Sequence, residues 1–512
     1  MVRGTHGRNY RSLMAGALLL AGALPCPASM VNTTNLAIEE ASDVGDKVSS
    51  SDWVIKNPVA PADMSDPMDA AKTRDRLDPR EMRDIQETRE TRVPRDPPVL
   101  AQAAIDPGPR PPRLVQDLDD SPLKRRLLSC AQGPFRRTAF AIGHRGACLA
   151  YPEHTRESYL AAARQGAGVI ECDVTFTRDL ELVCRHAQND LHTSTDILSH
   201  PDLAAKCRRP FTPATFAADG RLLTPASAEC WTSDLTLAEF RCLRGRRDGF
   251  NPRARTAAEY QQPPDIAWSG LAVGAEFGTL LTHRESIALF QELGVMMIPE
   301  LKESLDPLPF AGLTRAALAQ RLIDDYRAAG VDPRRVSPQS FLREDIDYWL
   351  AHAPDFGRQA VFLESAERVA DLPSLAELRR YREAGIRIVA PPLFALLEGD
   401  ASGAIRPSSY ARDVQAAGLA IIPWSLERSG SLAAPGKGIG TGTGTDTDKG
   451  FYYQTLNAAI RREGDVLRVL DVLAQEVGIQ AIFSDWPATV VYYANCLGLG
   501  LAPADYQAPS GR

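Results

Sequence analysis

The stretch TAFAIGHRGACLAYPEHTRESYLAAARQGAGVIECDVTF, residues 138–176, decides the fold class of this chain. Its two apolar runs, 138–144 and 168–176, flank an amphipathic segment that begins at Thr155 and ends at Gly166. Threonine is a good N-cap for a helix, and glycine is a good residue just past its end. Strand, helix and strand in this order predict a parallel β-α-β unit whose helix covers one face of the sheet.

The same alternation of apolar runs and helical segments fills a predicted domain at 136–500. Eight strands alternating with helices predict a (β/α)8 TIM barrel, an α/β fold. An open doubly wound sheet is the structural alternative, but no Gly-rich dinucleotide fingerprint follows the first strand. The six further predicted strands are 294–302, 334–341, 359–365, 386–393, 419–427 and 479–486.

Two insertions interrupt the predicted barrel domain, at 187–282 and at 429–465. The first is long and rich in loops. The second includes GKGIGTGTGTDTDKG, whose glycines are spaced as in a nucleotide-binding loop. Because no strand leads directly into this run and no helix begins with GK[ST], we predict a flexible surface loop.

The N-terminus has the pattern of a secretory signal peptide. Arg3, Arg8 and Arg11 precede the apolar run 13–24, and small residues follow as far as a plausible cleavage site after Ala28. An uncleaved membrane anchor is the alternative, but the run is shorter than the ~20 residues that span a bilayer. No later segment has the pattern of a membrane span, so we expect an exported protein that is periplasmic, extracellular or attached to a cell surface.

The segment 29–135 is rich in Pro, Asp, Arg and Ala and poor in aromatic residues. We predict a disordered linker with a short charged helix near 70–90, and a propeptide is the alternative. The proline-rich stretch 93–113 is predicted to form neither a helix nor an inner strand. Residues 501–512 are a short tail.

Composition and cysteine content narrow the class of protein. Hydrophobic residues make up 44% of the chain and charged residues 24%, as in soluble globular proteins. The net charge of −7 gives no basic surplus for binding nucleic acid. Cleavage of the signal peptide would remove Cys26 from the nine cysteines, and the even number that remains favours disulfides in an exported chain. Free buried thiols are the alternative, and the pairing stays open.

Polar side chains follow several predicted strands at the point where each strand ends. In a barrel these ends form one face, where active sites lie. After the second strand, a tight reversal brings the chain back to the same rim. The candidates are His144 and Arg145 after the first strand, Glu171 and Asp173 on the second, His186 after the reversal, Glu300 and Lys302 on the third, Trp424 on the seventh, and 484–486 on the eighth.

These residue types favour phosphoester cleavage. Three converging carboxylates need a cation, and an all-oxygen site suits calcium or magnesium. Two histidines suit proton transfer near neutral pH, while arginine and lysine suit an anionic group. An acyl transferase would need an activated Ser or Cys, and no G-x-S-x-G motif is present. Trp424 is either a substrate wall or a packing residue, and we expect structural or peripheral roles for His154, His192, His200 and His283.

The motifs HRG and PEHT, then GAGVIECDVTFTRDLELVCRH, then PELK, resemble those of the glycerophosphodiester phosphodiesterase family. The late runs IIPWS and IFSDWP extend the resemblance over roughly 138–490. It implies a TIM barrel that uses one divalent cation, Ca²⁺ or Mg²⁺, to hydrolyse a small-molecule glycerophosphodiester to an alcohol and sn-glycerol 3-phosphate. The nucleophile is water, or the neighbouring glycerol hydroxyl, which would form a cyclic phosphate first.

The resemblance also implies roles, residue by residue. His144 and His186 would be the acid/base pair, Glu171, Asp173 and Glu300 the metal ligands, Arg145 and Lys302 the phosphoryl-binding cations, and Glu153 a polar neighbour that orients the site. The sequence departs from the family at Ala187, where many members have aspartate, and at Leu180, where many have glycine. Asp190 is a candidate replacement for the missing acid.

Two other functions stay open at this point. A phospholipase D-like relative that acts on intact phospholipids would use the same two histidines in a similar barrel. A catalytically inactive barrel that binds a surface partner is also possible in principle, but it would be favoured by loss of a site residue, and all are present. The insertion 187–282 would overhang the site and change the size of the substrate pocket.

Overall fold

The computed structural model describes residues 105–433 and 450–501. Eight strands run parallel to one another and agree with the eight predicted apolar runs. The observed strands are shorter than most of the predicted runs, because residues at the ends of those runs belong to loops. They are β1 (Thr138–Gly143), β2 (Ala167–Phe176), β3 (Met296–Leu301), β4 (Gln339–Ser340), β5 (Val361–Leu363), β6 (Ile388–Ala390), β7 (Ala420–Ile421) and β8 (Ile482–Ser484).

The eight strands close on themselves. They lie in the order β7-β6-β5-β4-β3-β2-β1-β8, with every neighbouring pair parallel. The two end strands then meet, because the Gln480 N–H donates to the Ile421 carbonyl at 2.9 Å and the Phe483 N–H donates to the Pro423 carbonyl at 3.1 Å. The predicted (β/α)8 TIM barrel is therefore confirmed.

Helices connect the strands and cover the outside of the barrel. The Thr155 side chain accepts a hydrogen bond from the Ser158 N–H, which confirms it as the predicted helix cap. Apart from one-turn helices, the described chain contains α1 (Arg110–Asp117), α2 (Pro122–Ser129), α3 (Arg156–Arg164), α4 (His283–Leu293), α5 (Arg315–Ala328), α6 (Arg343–His352), α7 (Leu375–Glu383), α8 (Ser409–Ala416), α9 (Asp465–Val472) and α10 (Ala488–Leu497).

The barrel has two apolar layers. Inside it, inward-facing side chains from most of the strands, among them Ile142, Val169 and Ile298, form one buried cluster. A larger cluster packs the outer faces of the strands against the helices. Burial of apolar area at roughly 25 cal/mol per Å² makes these layers the main stabilising contribution. They hold the strand ends, and the polar side chains on them, at fixed positions.

The prediction that 29–135 is an unordered linker is wrong for the part of it that the structure describes. Helices α1 and α2 pack on the barrel, with Leu114, Val115 and Leu127 almost fully buried. Pro111 and Pro112, two of the prolines that argued against a helix, lie in the first turn of α1, where no backbone N–H is needed for an intrahelical bond. The folded domain thus begins before residue 136.

The insertion 187–282 is folded rather than merely loop-rich. It contains one-turn helices and two-stranded ribbons around a small apolar cluster that includes Leu191 and Phe240. The Cys207–Cys230 disulfide links two parts of it. A short antiparallel strand, Leu182–Cys184, pairs with the end of β2 and leads into the insertion.

Three disulfides join cysteines of the described chain, Cys130–Cys496, Cys172–Cys184 and Cys207–Cys230. The expectation of disulfides is confirmed for these pairs, whereas Cys148 is a free, buried thiol. The predicted signal peptide, the charged helix near 70–90, the Gly/Thr run at 436–449 and the end of the tail lie outside the described residues. Among the helices that are described, none combines the length and apolar character needed to cross a bilayer.

Adjacent leucines on α2 test whether the N-terminal helices belong to the folded domain. We expect Leu127→Ala to lower the free energy of unfolding by about 2–5 kcal/mol, because Leu127 is 0% exposed and its removal leaves a cavity. Leu128→Ala is the matched control, since that side chain is 40% exposed, and it should change stability by less than about 0.5 kcal/mol. Urea denaturation measures both, and equal effects would show that α2 does not pack on the barrel.

Candidate active site

The predicted polar residues meet around a cavity of about 440 Å³ at the C-terminal ends of the strands. Glu153 and Asp173 do not line the cavity, but they contact Arg145, which does. Side chains that no strand pattern predicted, Asp248 and Arg428 among them, complete the wall. The predicted residues that line it are His144, Arg145, Glu171, His186, Glu300, Lys302 and Trp424.

Three buried carboxylates form the floor of the site. Glu171 and Asp173 project from the same face of β2, and Glu300 on β3 is paired in register with Asp173. One carboxylate oxygen from each lies within 4.8 Å of the others. Glu171 accepts hydrogen bonds from the Gln339 side chain at 2.8 Å and from the Arg145 backbone N–H at 2.9 Å. In contrast, Asp173 Oδ1 is buried and has no hydrogen-bond partner among the described residues.

The electrostatics of this cluster favour a bound cation. Burial, together with the charges of Asp173 and Glu300, raises the pKa of Glu171 well above its usual range. Burial and the charge of Asp173 raise the pKa of Glu300 to about 7, although Lys302 opposes the shift. Like charges that repel one another, with a buried oxygen left unpartnered, fit an oxygen-binding divalent ion such as calcium or magnesium. Glu171, Asp173 and Glu300 are thus the residues that could hold a metal.

Asp173 is held ionised by its neighbours. Burial would raise the pKa of Asp173, but His154 and Lys302 outweigh it and keep that pKa below its usual range. His154 donates through Nε2 to Asp173 Oδ2 at 2.8 Å, and its Nδ1 lies 3.0 Å from the Tyr159 hydroxyl oxygen. His154, which the sequence indicated only as structural or peripheral, therefore orients a candidate metal ligand.

Cationic side chains face the carboxylates. Lys302 Nζ lies 2.6 Å from Glu300 Oε1. Arg145 donates through Nη1 to Glu153 Oε2 at 2.9 Å, and its Nε lies 3.8 Å from Asp173 Oδ2. Because Glu153 holds one edge of the Arg145 guanidinium, that group is fixed in orientation where it lines the cavity.

His144 is oriented by Asp485. Its Nδ1 lies 3.1 Å from Asp485 Oδ1, and its Nε2 lies 3.8 Å from Glu171 Oε2. Burial lowers the pKa of His144 below its usual value even though Asp485 raises it, so the ring is neutral at pH 7. The Ser425 hydroxyl donates to Asp485 Oδ2 at 2.6 Å and the Cys148 thiol donates to Oδ1 at 2.8 Å. These contacts fix the carboxylate and, through it, the ring.

His186 reaches the cavity from the end of the Leu182–Cys184 strand. Burial lowers its pKa well below the usual value, and the nearby cations Arg145 and Lys302 lower it further. Carboxylate oxygens of Glu153 and Asp190 lie within 4.8 Å of a ring nitrogen of His186. Asp190 therefore lies in the region where the acid absent at position 187 was expected.

The loop after β1 is built in an unusual backbone conformation. Arg145 and His154 have φ values of 60° and 54°, in the left-handed region that L-residues rarely adopt. Gly146 is required nearby, because a Cβ there would lie 2.3 Å from Ser158 Oγ. Such conformations cost on the order of 1–3 kcal/mol each and cluster at functional sites. Here the Arg145 backbone N–H is thereby directed at Glu171.

The sequence of this chain is similar to one family pattern and to several known proteins. The sequence pattern of the "Glycerophosphoryl diester phosphodiesterase family" matches residues 144–489. An "Extracellular protein" from Arthroderma benhamiae is 43% identical over 255 residues, which are 49% of this chain and 100% of that protein. A "Probable glycerophosphodiester phosphodiesterase 1" from Mycobacterium tuberculosis is 50% identical over 56 residues, which are 11% of this chain and 20% of that protein.

Solved structures are similar to this chain at lower sequence identity. A phosphodiesterase from Oleispira antarctica, in complex with the product sn-glycerol-3-phosphate, is 17% identical and has a TM-score of 0.40. The match covers 69% of this chain and 96% of that chain.

A barrel whose strand ends bring carboxylates, histidines and basic side chains together defines a hydrolase that cleaves phosphodiesters. Because the family pattern spans more than half of the chain and begins at His144, this protein belongs to the glycerophosphoryl diester phosphodiesterase family. It is an enzyme of that family, a phosphoric diester hydrolase.

Asp485 provides a test of how the site is oriented. We expect Asp485→Asn to lower kcat/KM on the order of 10³-fold, because an amide cannot hold His144 in the same tautomer and orientation. The ionisation of His144 in the pH–rate profile should move to lower pH, since Asp485 raises the pKa of that ring. Steady-state kinetics between pH 4 and 9 measure both effects.

Asp471→Asn is the matched control for this substitution, because Asp471 accepts a hydrogen bond from the Tyr493 hydroxyl outside the cavity. It should leave the rate and the pH profile unchanged. An Asp485→Asn enzyme with the wild-type pH profile would contradict the account of His144.

Proposed function

We propose that this protein is an exported, metal-dependent glycerophosphodiesterase that releases an alcohol and sn-glycerol 3-phosphate. The observation that carries the proposal is the buried set of Glu171, Asp173 and Glu300, which lies beside a cavity lined by two histidines and by the basic side chains Arg145 and Lys302. Family membership gives the reaction class. The name of the structurally similar phosphodiesterase from Oleispira antarctica, which binds sn-glycerol-3-phosphate as product, supports the product assignment.

Binding of the phosphodiester is assigned to Arg145 and Lys302. The guanidinium donates to phosphoryl oxygens through two parallel N–H groups, and the ammonium acts as a compact charge on the other side. Glu153 and Glu300 hold these two cations in place before substrate binds. Such preorganisation stabilises the charge that grows on the phosphoryl oxygens during attack.

Glu171, Asp173 and Glu300 are the proposed ligands of one calcium or magnesium ion. When bound, that ion polarises the phosphoryl group and offsets its negative charge. The Gln339 side chain and the Arg145 backbone N–H orient Glu171, while His154 orients Asp173. These contacts leave Asp173 Oδ1 without a protein donor among the described residues, so this oxygen is available to a metal ion.

Proton transfer is assigned to His144 and His186. One ring accepts the proton of the nucleophile, which is water or the adjacent glycerol hydroxyl, and the other ring protonates the leaving alcohol. The lowered pKa values of the histidines suit the ring that accepts a proton, and the anionic phosphodiester would favour the protonated form of the other ring, which supplies the proton of the leaving alcohol. Asp485 holds His144 so that its Nε2 faces the carboxylate cluster.

Export is proposed from three observations. The N-terminus has the composition of a signal peptide that ends near Ala28. Three disulfides join cysteines of the described domain, and such bonds persist in oxidising compartments. The fungal relative, over whose whole length this chain aligns, is named an extracellular protein.

Glycerol 3-phosphate release from a panel of glycerophosphodiesters tests the proposed reaction. We expect turnover that EDTA abolishes and that calcium or magnesium restores. His144→Ala and Asp173→Asn should each lower kcat by at least about 10²-fold, since they remove proton transfer and metal binding.

His352→Ala is a suitable control, because His352 is exposed on α6 and packs only against Tyr348 among the described aromatic rings. It should retain full activity. Hydrolysis that survives both EDTA and His144→Ala would overturn the proposed mechanism.

A further inference from the structure

The cavity has two chemically different halves. The reacting side chains come from β1, β2 and β3 and from the loops that follow them. The opposite half is lined by Phe341 after β4, Leu363 at the end of β5, Trp424 after β7, and Phe451 and Tyr452 from the second insertion. A phosphodiester bound between the two halves places one of its alcohol groups against the aromatic half.

The aromatic half is a corner in which most ring pairs meet at steep angles, while the rings of Trp424 and Phe451 lie 6.1 Å apart at a shallow angle of 31°. The Trp424 ring lies 5.7 Å from Phe341 and 5.6 Å from Tyr452, with interplanar angles of 89° and 78°. Phe451 lies 5.1 Å from Tyr452 at 84°. Trp424 is fixed because its indole N–H donates to the Ala390 carbonyl at 2.9 Å. Rings at steep angles present several aromatic faces and edges to one small volume.

Two cations near this corner are paired with carboxylates. Lys302 Nζ lies 5.8 Å from the centroid of the Phe341 ring and 2.6 Å from Glu300 Oε1. Arg428 contacts Glu153 at 3.2 Å, Asp485 at 3.3 Å and Asp248 at 3.4 Å. Its charge is therefore compensated by three carboxylates and is not available to an anionic headgroup. Asp248, which comes from the first insertion, lines the same cavity.

Few polar groups line the aromatic half of the cavity. Ser429 Oγ is buried, lines the cavity and has no hydrogen-bond partner among the described residues. The Tyr452 hydroxyl is the other neutral polar group on this side of the cavity lining. Two hydroxyls can orient one ester or alcohol oxygen, but they cannot replace the hydration of a polyol or of a primary ammonium.

We propose that Phe341, Trp424, Phe451 and Tyr452 form a subsite for a leaving alcohol that carries a quaternary ammonium group. Such a cation has methyl groups instead of N–H donors, so it loses little hydration and gains attraction from ring faces. A primary ammonium alcohol has the same charge but keeps its hydration and finds few acceptors here. This inference rests on the proposed function, and it assigns headgroup selection to residues supplied partly by the second insertion.

The test compares glycerophosphocholine with glycerophosphoethanolamine, two esters that differ only in the methyl groups on nitrogen. We expect the wild-type enzyme to favour the choline ester by about tenfold in kcat/KM, as one or two cation–π contacts would give. Tyr452→Leu and Trp424→Leu should bring that ratio close to one, mainly by lowering kcat/KM for the choline ester. Tyr348→Leu on α6 is the control, because this aromatic side chain lies outside the cavity lining, and it should keep the wild-type ratio.

Binding of choline chloride gives a readout that does not depend on hydrolysis. We expect calorimetry to detect choline binding to the wild-type protein, about tenfold weaker binding to Tyr452→Leu, and weaker binding of ethanolamine than of choline to the wild type. Choline binding without turnover of any ester would support the subsite and overturn the proposed function. Turnover with equal kcat/KM for the two esters, or equal losses for both esters in the ring variants, would overturn the subsite.

Discussion

The active site is organised around three buried carboxylates that lie within 4.8 Å of one another at the ends of β2 and β3. Like charges in a low-dielectric interior repel strongly, and the raised pKa values of Glu171 and Glu300 express that cost. Folding would avoid such a cluster unless a cation offset it. We therefore propose that this cluster is a site for a divalent ion, formed at a local cost in stability.

The rest of the barrel holds this cluster in place. The parallel register sets Glu300 beside Asp173, and the Gln339 side chain on β4 reaches across to Glu171. The left-handed turn at Arg145 directs a backbone N–H to the same carboxylate. These contacts orient the carboxylate oxygens and leave Arg145, Lys302 and the two histidines facing one cavity. We propose that Phe451 and Tyr452 of the second insertion help to select the alcohol that this cavity accepts.

The alternation of apolar runs and helical segments predicted the eight strands, because each strand lies within an apolar run of the sequence. It also predicted that the polar residues would converge, since parallel strand ends share one face. Asp485 could have been assigned from its position after β8. Arg428 and Asp248 could not, because they reach the cavity from irregular loops whose path depends on tertiary packing. The same limit explains the error at α1, where prolines suggested open chain but occupy a first turn.

The most direct test of this account is a crystal structure of the protein grown with manganese, whose anomalous scattering locates the ion. We expect a single strong peak at about 2.0–2.6 Å from carboxylate oxygens of Glu171, Asp173 and Glu300, with Asp173 Oδ1 among the ligands. An Asp173→Asn crystal grown in the same way should lack the peak. A peak elsewhere in the cavity, or an empty carboxylate cluster at saturating manganese, would contradict the central claim.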